Sequence, residues 1–271
     1  MGDTANANGR PSIFITGAAS GIGLASAKRF AGAGWFVGLA DINAAGLDAA
    51  LAAIGAANGV TLSLDVRHRG QWAEAMAAFA KTTGGRCDVL LNNAGIARHG
   101  WFEDITPEES DLEIDINIKG VVNGAYAGLE LLKATPGARL INMASCAGLY
   151  GPPRLAVYGA TKFAVRGLSE ALDAEFARHG VQVKCVMPWF VETPILDSPS
   201  RGSNTAIRDG ITDQPIYTVE EAAEVVWKAA HGADLYYLVG KAAERLRFAA
   251  RFMPGGIRKR MTAAILGAAK T

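Results

Sequence analysis

Residues 12–34, SIFITGAASGIGLASAKRFAGAG, pass from a short apolar run through a glycine turn into a helical pattern. That is strand, turn and helix in succession. Gly17, Gly21 and Gly23 stand where backbone must approach a ligand closely and where a helix must pack tightly on a strand. A helix starting near Gly21 aims its unpaired amide groups out of the turn, a field that suits a pyrophosphate. Packing alone can also call for a glycine turn. The strand–turn–helix setting is what favours a dinucleotide.

Working outward, the next strand, Trp35–Ala40, ends at Asp41, eighteen residues after Gly23. A carboxylate there accepts hydrogen bonds from ribose hydroxyls and repels a 2′-phosphate, and no Arg or Lys stands beside it, so NAD is expected over NADP. The alternative, an N-cap for the next helix, is a task Asn43 can perform equally well. Strand Thr61–Leu64 leads to Asp65-Val66, whose carboxylate lies within reach of an adenine amino group. A helix is expected over Gln71–Lys81, and the buried strand Asp88–Leu91 ends in NNAG (92–95). Thr106-Pro107-Glu108-Glu109 is a capping box with Pro at the first helical position, opening a long helix to about Lys133. Asn117, close to Gly120, is a poor choice inside that helix: either a blemish or a bend with a purpose. Strand Arg139–Met143 delivers Ser145, a helix runs to about His179, and Val181–Met187 is strand again. A flexible loop over Thr205–Pro215, a capped helix from Thr218–Glu221 and a strand at Leu235–Val239 follow. The alternation predicts an α/β fold: a single doubly wound, Rossmann-type parallel sheet with helices on both faces, its ligands at the carboxyl ends of the strands.

Ser145–Lys162, SCAGLYGPPRLAVYGATK, carries the chemistry. Tyr158 and Lys162 sit at i and i+4, so on a helix both emerge from one face. A phenol titrates near pH 10; a neighbouring ammonium lowers that value, and a bound cofactor cation would lower it further. Bringing it down by roughly three units takes roughly 4 kcal/mol. An amphipathic helix that happens to carry Tyr and Lys is the plainer reading of this pair alone.

Composition narrows the classes. The 271 residues are 50% hydrophobic and 20% charged, with net charge +1. Residues 241–271 hold eight basic side chains against Glu244 alone, a balance of +7. The remainder, with 19 basic against 25 acidic, stands at −6, which disfavours nucleic acid as its partner. Cys87, Cys146 and Cys185 form neither a disulfide framework nor a metal spacing, so no metal is expected. The polar N-terminus and the absence of a long apolar run point to a cytoplasmic protein. In the basic tail Leu246, Ala249, Ala250, Met253 and Ile257 recur at helical spacing with Phe248 and Phe252 flanking, and Pro254-Gly255-Gly256 should split the tail into two short helices. Such a tail either packs over the body or lies on an anionic membrane, and packing is the preferred reading.

Assembled in this order, the motifs resemble the short-chain dehydrogenase/reductase family over about residues 12–240. TGAASGIG (16–23), Asp41, Asp65 and NNAG match its cofactor motifs, and Asn117, Ser145, Tyr158 and Lys162 match its catalytic tetrad. The resemblance implies hydride transfer between a nicotinamide and a carbinol carbon. Tyr158 would exchange the alcohol proton, and Lys162 would hold the nicotinamide ribose. Ser145 would bond the substrate oxygen, and Asn117 would position a water. Ser20, Ile22, Val66, Asn93, Ala94, Gly95, Pro188 and Thr193 complete the implied cofactor set. Trp189 departs from the pattern, standing where the family has Gly. Cys146, beside Ser145, reads as a small core residue.

The implied substrate wall comprises His99, Trp101, Phe102, Leu149, Tyr150, Pro152, Pro153, Trp189 and Phe190, with Arg98 and Arg154 as scarce charges. An apolar wall suits a bulky lipophilic alcohol or ketone. The alternatives are an NADP-linked ketoacyl or sugar reductase, a non-catalytic NAD-binding protein, and a membrane-surface scaffold. Residues 1–10 are expected to be a flexible arm, 11–240 the domain, and 241–271 a basic amphipathic extension. Ala160, Ala164, Gly167 and Ala171 suit a close helix contact, so a homodimer or homotetramer is expected through the helices carrying Asn117 and Tyr158.

Overall fold

The computed structural model describes residues 9–212 and 214–268. Its strands are β1 (Ser12–Thr16), β2 (Phe36–Asp41), β3 (Gly59–Ser63), β4 (Val89–Asn92), β5 (Arg139–Met143), β6 (Gln182–Pro188) and β7 (Tyr236–Val239). They form one parallel sheet of order β3-β2-β1-β4-β5-β6-β7. Both faces are covered, so the central strands are buried and mostly apolar: all five residues of β1 are buried. Ile13 and Ile15 face the core beneath α1 (Gly21–Gly32), α2 (Ala44–Ile54) and α7 (Val219–His231). Phe14, between them, faces the opposite core with Trp72 and Phe79 of α3 (Arg69–Thr83) and Leu132 of α5 (Gly120–Ala134). This is the Rossmann-type architecture. Strand order reverses between β1 and β4, which opens a crevice at their carboxyl ends.

The expected long helix is interrupted. α4 (Pro107–Ile114) passes through a π-helical turn, Asp115–Lys119, into α5. The capping box at Thr106 and Glu109 is formed, and Asn43 caps α2, accepting from the Gly46 N–H at 3.1 Å. α6 (Ala156–Phe176) carries Tyr158 and Lys162. Most of the loose arm expected at residues 1–10 lies outside the described residues. Its end is tied down, Arg10 donating to Asn58 Oδ1 at 3.0 Å and to the Ala57 carbonyl at 2.8 Å. The loop expected over Thr205–Pro215 is seated across its first half. Ile207 is buried, and Arg208 pairs with Glu192 and with Asp197. Residue 213 lies outside the described residues.

The tail forms α8 (Lys241–Phe252) and α9 (Pro254–Ala268). Its single expected stripe is split. Ala243, Leu246 and Ala250 pack on the body beside Leu235 and Tyr236, whereas Phe248 and Phe252 are each 62% exposed and Met253 55%. Phe248 and Phe252 lie about half a helical turn from the packed face, so one helix cannot bury both sets.

Candidate active site

The crevice holds a cavity of ≈ 840 Å³. At one end lies the glycine turn. Gly17 and Gly21 have positive φ of 66° and 53°. Ser20 makes no side-chain cap, and the first turn of α1 holds no acidic residue, so its amides are left for an outside acceptor. Gly23 lies under the turn, where an added Cβ would sit 2.1 Å from the Gly17 carbonyl oxygen. Asn93 fixes the turn from behind, its side chain donating to the carbonyls of Thr16 at 2.9 Å and Gly17 at 3.3 Å. Ser20, Ile22, Ala94 and Gly95 line the cavity as expected, and so do Val66, Pro188 and Thr193.

Asp41 reaches the same cavity from the end of β2. Its carboxylate accepts from the backbone amides of Ala19 at 3.1 Å and Asn43 at 3.0 Å, which hold it facing the turn. Asp65 also lines the cavity, but Arg67 wraps both of its oxygens, Nε donating at 2.9 and 3.0 Å. That hydrogen bond holds the Asp65 carboxyl below the usual carboxylate range, and any adenine amine must share it with Arg67.

At the other end β5 delivers Ser145, and the start of α6 delivers Tyr158 and Lys162. The Ser145 hydroxyl faces the Tyr158 phenol and favours its ionised form, but loss of water dominates and pushes the phenol up to about 12. This corrects the expected depression. Lys162 stands 5.5 Å from the Tyr158 ring centroid. The same desolvation lowers Lys162 to about 8 while its Nζ donates to the Met143 carbonyl at 3.1 Å. The neighbouring ammonium is therefore insufficient by itself.

Asn117 is wholly buried behind the cavity wall. Its Oδ1 accepts from the Ile96 N–H at 2.9 Å, and its Nδ2 donates to the Ile96 carbonyl at 2.9 Å and to Thr161 Oγ1 at 3.2 Å. Both amide hydrogens are thus committed to protein. The side chain clamps the loop after β4 to α6, and the π turn is what lets it point there. The water expected on this side chain therefore finds no free amide hydrogen there.

The substrate wall divides. His99, Tyr150, Trp189 and Phe190 line the catalytic cavity. His99 is buried, its Nδ1 2.5 Å from Ser200 Oγ, and desolvation lowers it to about 4. Trp101 and Leu149 do not reach this cavity. They line a second one, of ≈ 560 Å³, whose other side is α9 through Ile257, Met261 and Ile265. Phe102 is 69% exposed. Trp189 needs no glycine-like backbone: its N–H donates to the Val239 carbonyl at 3.3 Å, and Arg154 is the non-glycine residue with positive φ among those described. Cys146 is 4% exposed and pushed up to about 12 by burial, as befits a core thiol. Sequence reasoning missed Glu113, a buried carboxylate one turn before Asn117. No group of three or more potential metal ligands occurs among the described residues, and no described helix is long and apolar enough to cross a membrane.

A family model described as short chain dehydrogenase matches residues 11–203. The chain is 37% identical over 216 residues to oxidoreductase UcpA of Salmonella typhimurium, covering 79% of each protein. It is 39% identical over 185 residues to the 2,5-dichloro-2,5-cyclohexadiene-1,4-diol dehydrogenase LinX of Sphingobium indicum, covering 67% of this chain and 73% of that one. Among solved structures, a short chain dehydrogenase of Mycobacterium paratuberculosis bound to NAD superimposes with a TM-score of 0.77 at 25% identity, covering 89% of this chain and 99% of that chain. The protein belongs to the short-chain dehydrogenase/reductase family and is an oxidoreductase using a nicotinamide cofactor.

Proposed function

We propose that the protein is an NAD-linked dehydrogenase interconverting a lipophilic secondary alcohol and its ketone. One observation carries this reading: Ser145, Tyr158 and Lys162 converge in a cleft whose far end presents the amide-held carboxylate of Asp41. The bare turn at Gly17–Gly21, with no Cβ and no capping side chain, fits a pyrophosphate. Asp41 fits an unphosphorylated ribose, and the NAD bound by the Mycobacterium paratuberculosis protein agrees. When bound, the nicotinamide supplies hydride acceptance and donation, together with a positive charge in its oxidised form. Ser145 Oγ–H donates to the substrate oxygen, and Tyr158 Oη takes the alcohol proton or returns it. Lys162 favours the phenolate by its charge, while Pro188, Trp189 and Phe190 keep water from that oxygen. Bringing Tyr158 from about 12 to neutrality takes about 7 kcal/mol, so its activation depends on the loaded cleft.

The lipophilic substrate class rests on Tyr150, Trp189 and Phe190 in the wall and on the cyclic diol named for LinX. We also infer a homo-oligomer through α5 and α6, where Tyr126 is 72% exposed, Phe163 42%, and Ala160, Ala164, Gly167 and Ala171 face outward. The tail we read as a packed wall, because α9 faces Leu149 and Tyr150 across the second cavity.

The test is turnover of a panel of lipophilic and polar secondary alcohols with NAD and with NADP. NAD should exceed NADP in kcat/KM by at least about tenfold, or about 1.4 kcal/mol, and Asp41→Ala should narrow the gap. Tyr158→Phe should remove nearly all turnover and leave NAD binding close to normal. Equal use of both cofactors would overturn the NAD assignment, and more than a few per cent activity in Tyr158→Phe would overturn the base.

A further inference from the structure

Glu113 lies on α4, one turn before Asn117, and is 0% exposed. Its Oε1 accepts from the Arg98 backbone N–H at 2.8 Å. Its Oε2 is buried without a hydrogen-bond partner. Both guanidinium groups near this helix turn to a different carboxylate: Arg201 pairs with Glu109, and Arg98 Nε stands 3.7 Å from Glu109 Oε1. Asp115, in the π turn, pairs at the surface with Lys119 at 3.4 Å. At longer range two positive charges still act on Glu113, Arg98 from the loop after β4 and Lys162 from α6, with the Tyr158 phenol beside Lys162 and the buried Cys185 of β6 also facing Lys162. A carboxyl buried like this is costly unless a charge answers it. Lys162 has the same need, since the acceptor of its ammonium is the neutral Met143 carbonyl.

We propose that Glu113 is a positioning residue that acts through Lys162, keeping it charged from behind the catalytic wall. The inference rests on the nicotinamide reading of the cleft. Ionised, Glu113 supplies the counter-charge that holds the Lys162 proton, and it opposes a negative charge on Tyr158. Protonated, it releases both effects. Desolvation pushes Glu113 up to about 7 and Lys162 down to about 8, so the pair changes charge across neutral pH. Glu113 thereby sets the pH at which the cleft loses its ammonium.

Glu113→Gln tests this, because the amide oxygen still accepts from Arg98 N–H but the side chain cannot ionise. NADH affinity is read by fluorescence titration from pH 6 to 9.5, with NADPH substituted should NADH not bind. The variant should match the intact protein within about twofold at pH 6.5 and bind about tenfold more weakly at pH 8.5, because Lys162 then gives up its proton earlier. Glu113→Asp should restore part of the difference. A ratio of affinities that stays constant with pH would mark a structural role and overturn the proposal alone. Failure of the intact protein to bind either cofactor at any pH would overturn it together with the reading of the cleft. Should Glu113→Gln not fold, Glu113→Asp carries the test: weakening that begins at a lower pH than in the intact protein supports the proposal, and an unchanged onset overturns it.

Discussion

Gly23→Ala places a methyl carbon 2.1 Å from the Gly17 carbonyl oxygen and 2.7 Å from Asn93 Nδ2. Non-bonded heavy atoms settle at about 3.5–4.0 Å, so something must move by about 1.5 Å. The start of α1 cannot retreat, because Ala27 and Phe30 are packed against the sheet. The Gly17 turn must yield, and with it the Asn93 bond to the Thr16 carbonyl at 2.9 Å. Overpacking of this kind costs about 1–3 kcal/mol. Alanine returns up to about 1 kcal/mol of helix propensity. Net stability therefore falls modestly, while the displaced turn is the part that would cradle a pyrophosphate. NADH affinity should drop at least about tenfold, about 1.4 kcal/mol, with a Tm change of only a few degrees. Fluorescence titration and thermal melts by circular dichroism report the two effects separately. Binding within twofold of the parent, with Tm unchanged or raised, would refute the argument that this close approach shapes the cofactor site.

Acid–base linkage gives a prediction of sign. Glu113 is raised from 4.5 to about 7, so its contribution to stability is present below about 4.5 and is lost as pH rises through about 7. His99 is depressed from 6.5 to about 4, so its contribution is present above about 6.5 and is lost as pH falls through about 4. Between these limits the slopes oppose, each at most about 1.4 kcal/mol per pH unit. Urea melts at pH 5 and 6.5 should show stability rising with pH in Glu113→Gln and falling in His99→Gln; slopes of one sign in both variants would contradict the assigned shifts. For the tail, truncation after Gly240 should cost folding or activity, and the intact chain should not float with phosphatidylserine liposomes. Salt-sensitive flotation that vanishes on truncation, with the remainder active, would favour the membrane reading instead.

Much of this was legible in the residues because parallel strands buried on both faces read as mostly apolar runs, and because Tyr158 and Lys162 keep helical spacing. Asn117 and Gly120 signalled an irregularity but not its form; a π turn is fixed by what the side chain must reach, here Ile96 and Thr161. Glu113 was illegible, since a Glu on a capped helix reads as a solvated face and its burial comes from α4 meeting α6. The desolvation of Tyr158 was illegible for a related reason. Sequence shows the ammonium one turn away but not how much water the fold removes. Trp101 and Leu149 turn toward α9 rather than the catalytic cavity, a matter decided by where the tail docks. Met253, counted in the stripe by periodicity, is 55% exposed, and Phe248 and Phe252, expected only to flank the stripe, lie on the side of α8 away from the body.

The three thiols offer a consequence of a different kind. Cys87 and Cys185 are 0% exposed and Cys146 4%, and burial pushes the last two up to about 12. At neutral pH they are poor nucleophiles shielded from reagent, so an alkylating agent should find nothing to label until the surrounding structure opens. They stand at the head of β4, just past β5 and within β6, three separate stations of one sheet. Labelling rate in native buffer, resolved by peptide, would therefore act as a built-in clock. Cys146 reports loosening of the catalytic wall alone, and Cys87 and Cys185 report rupture of the whole framework.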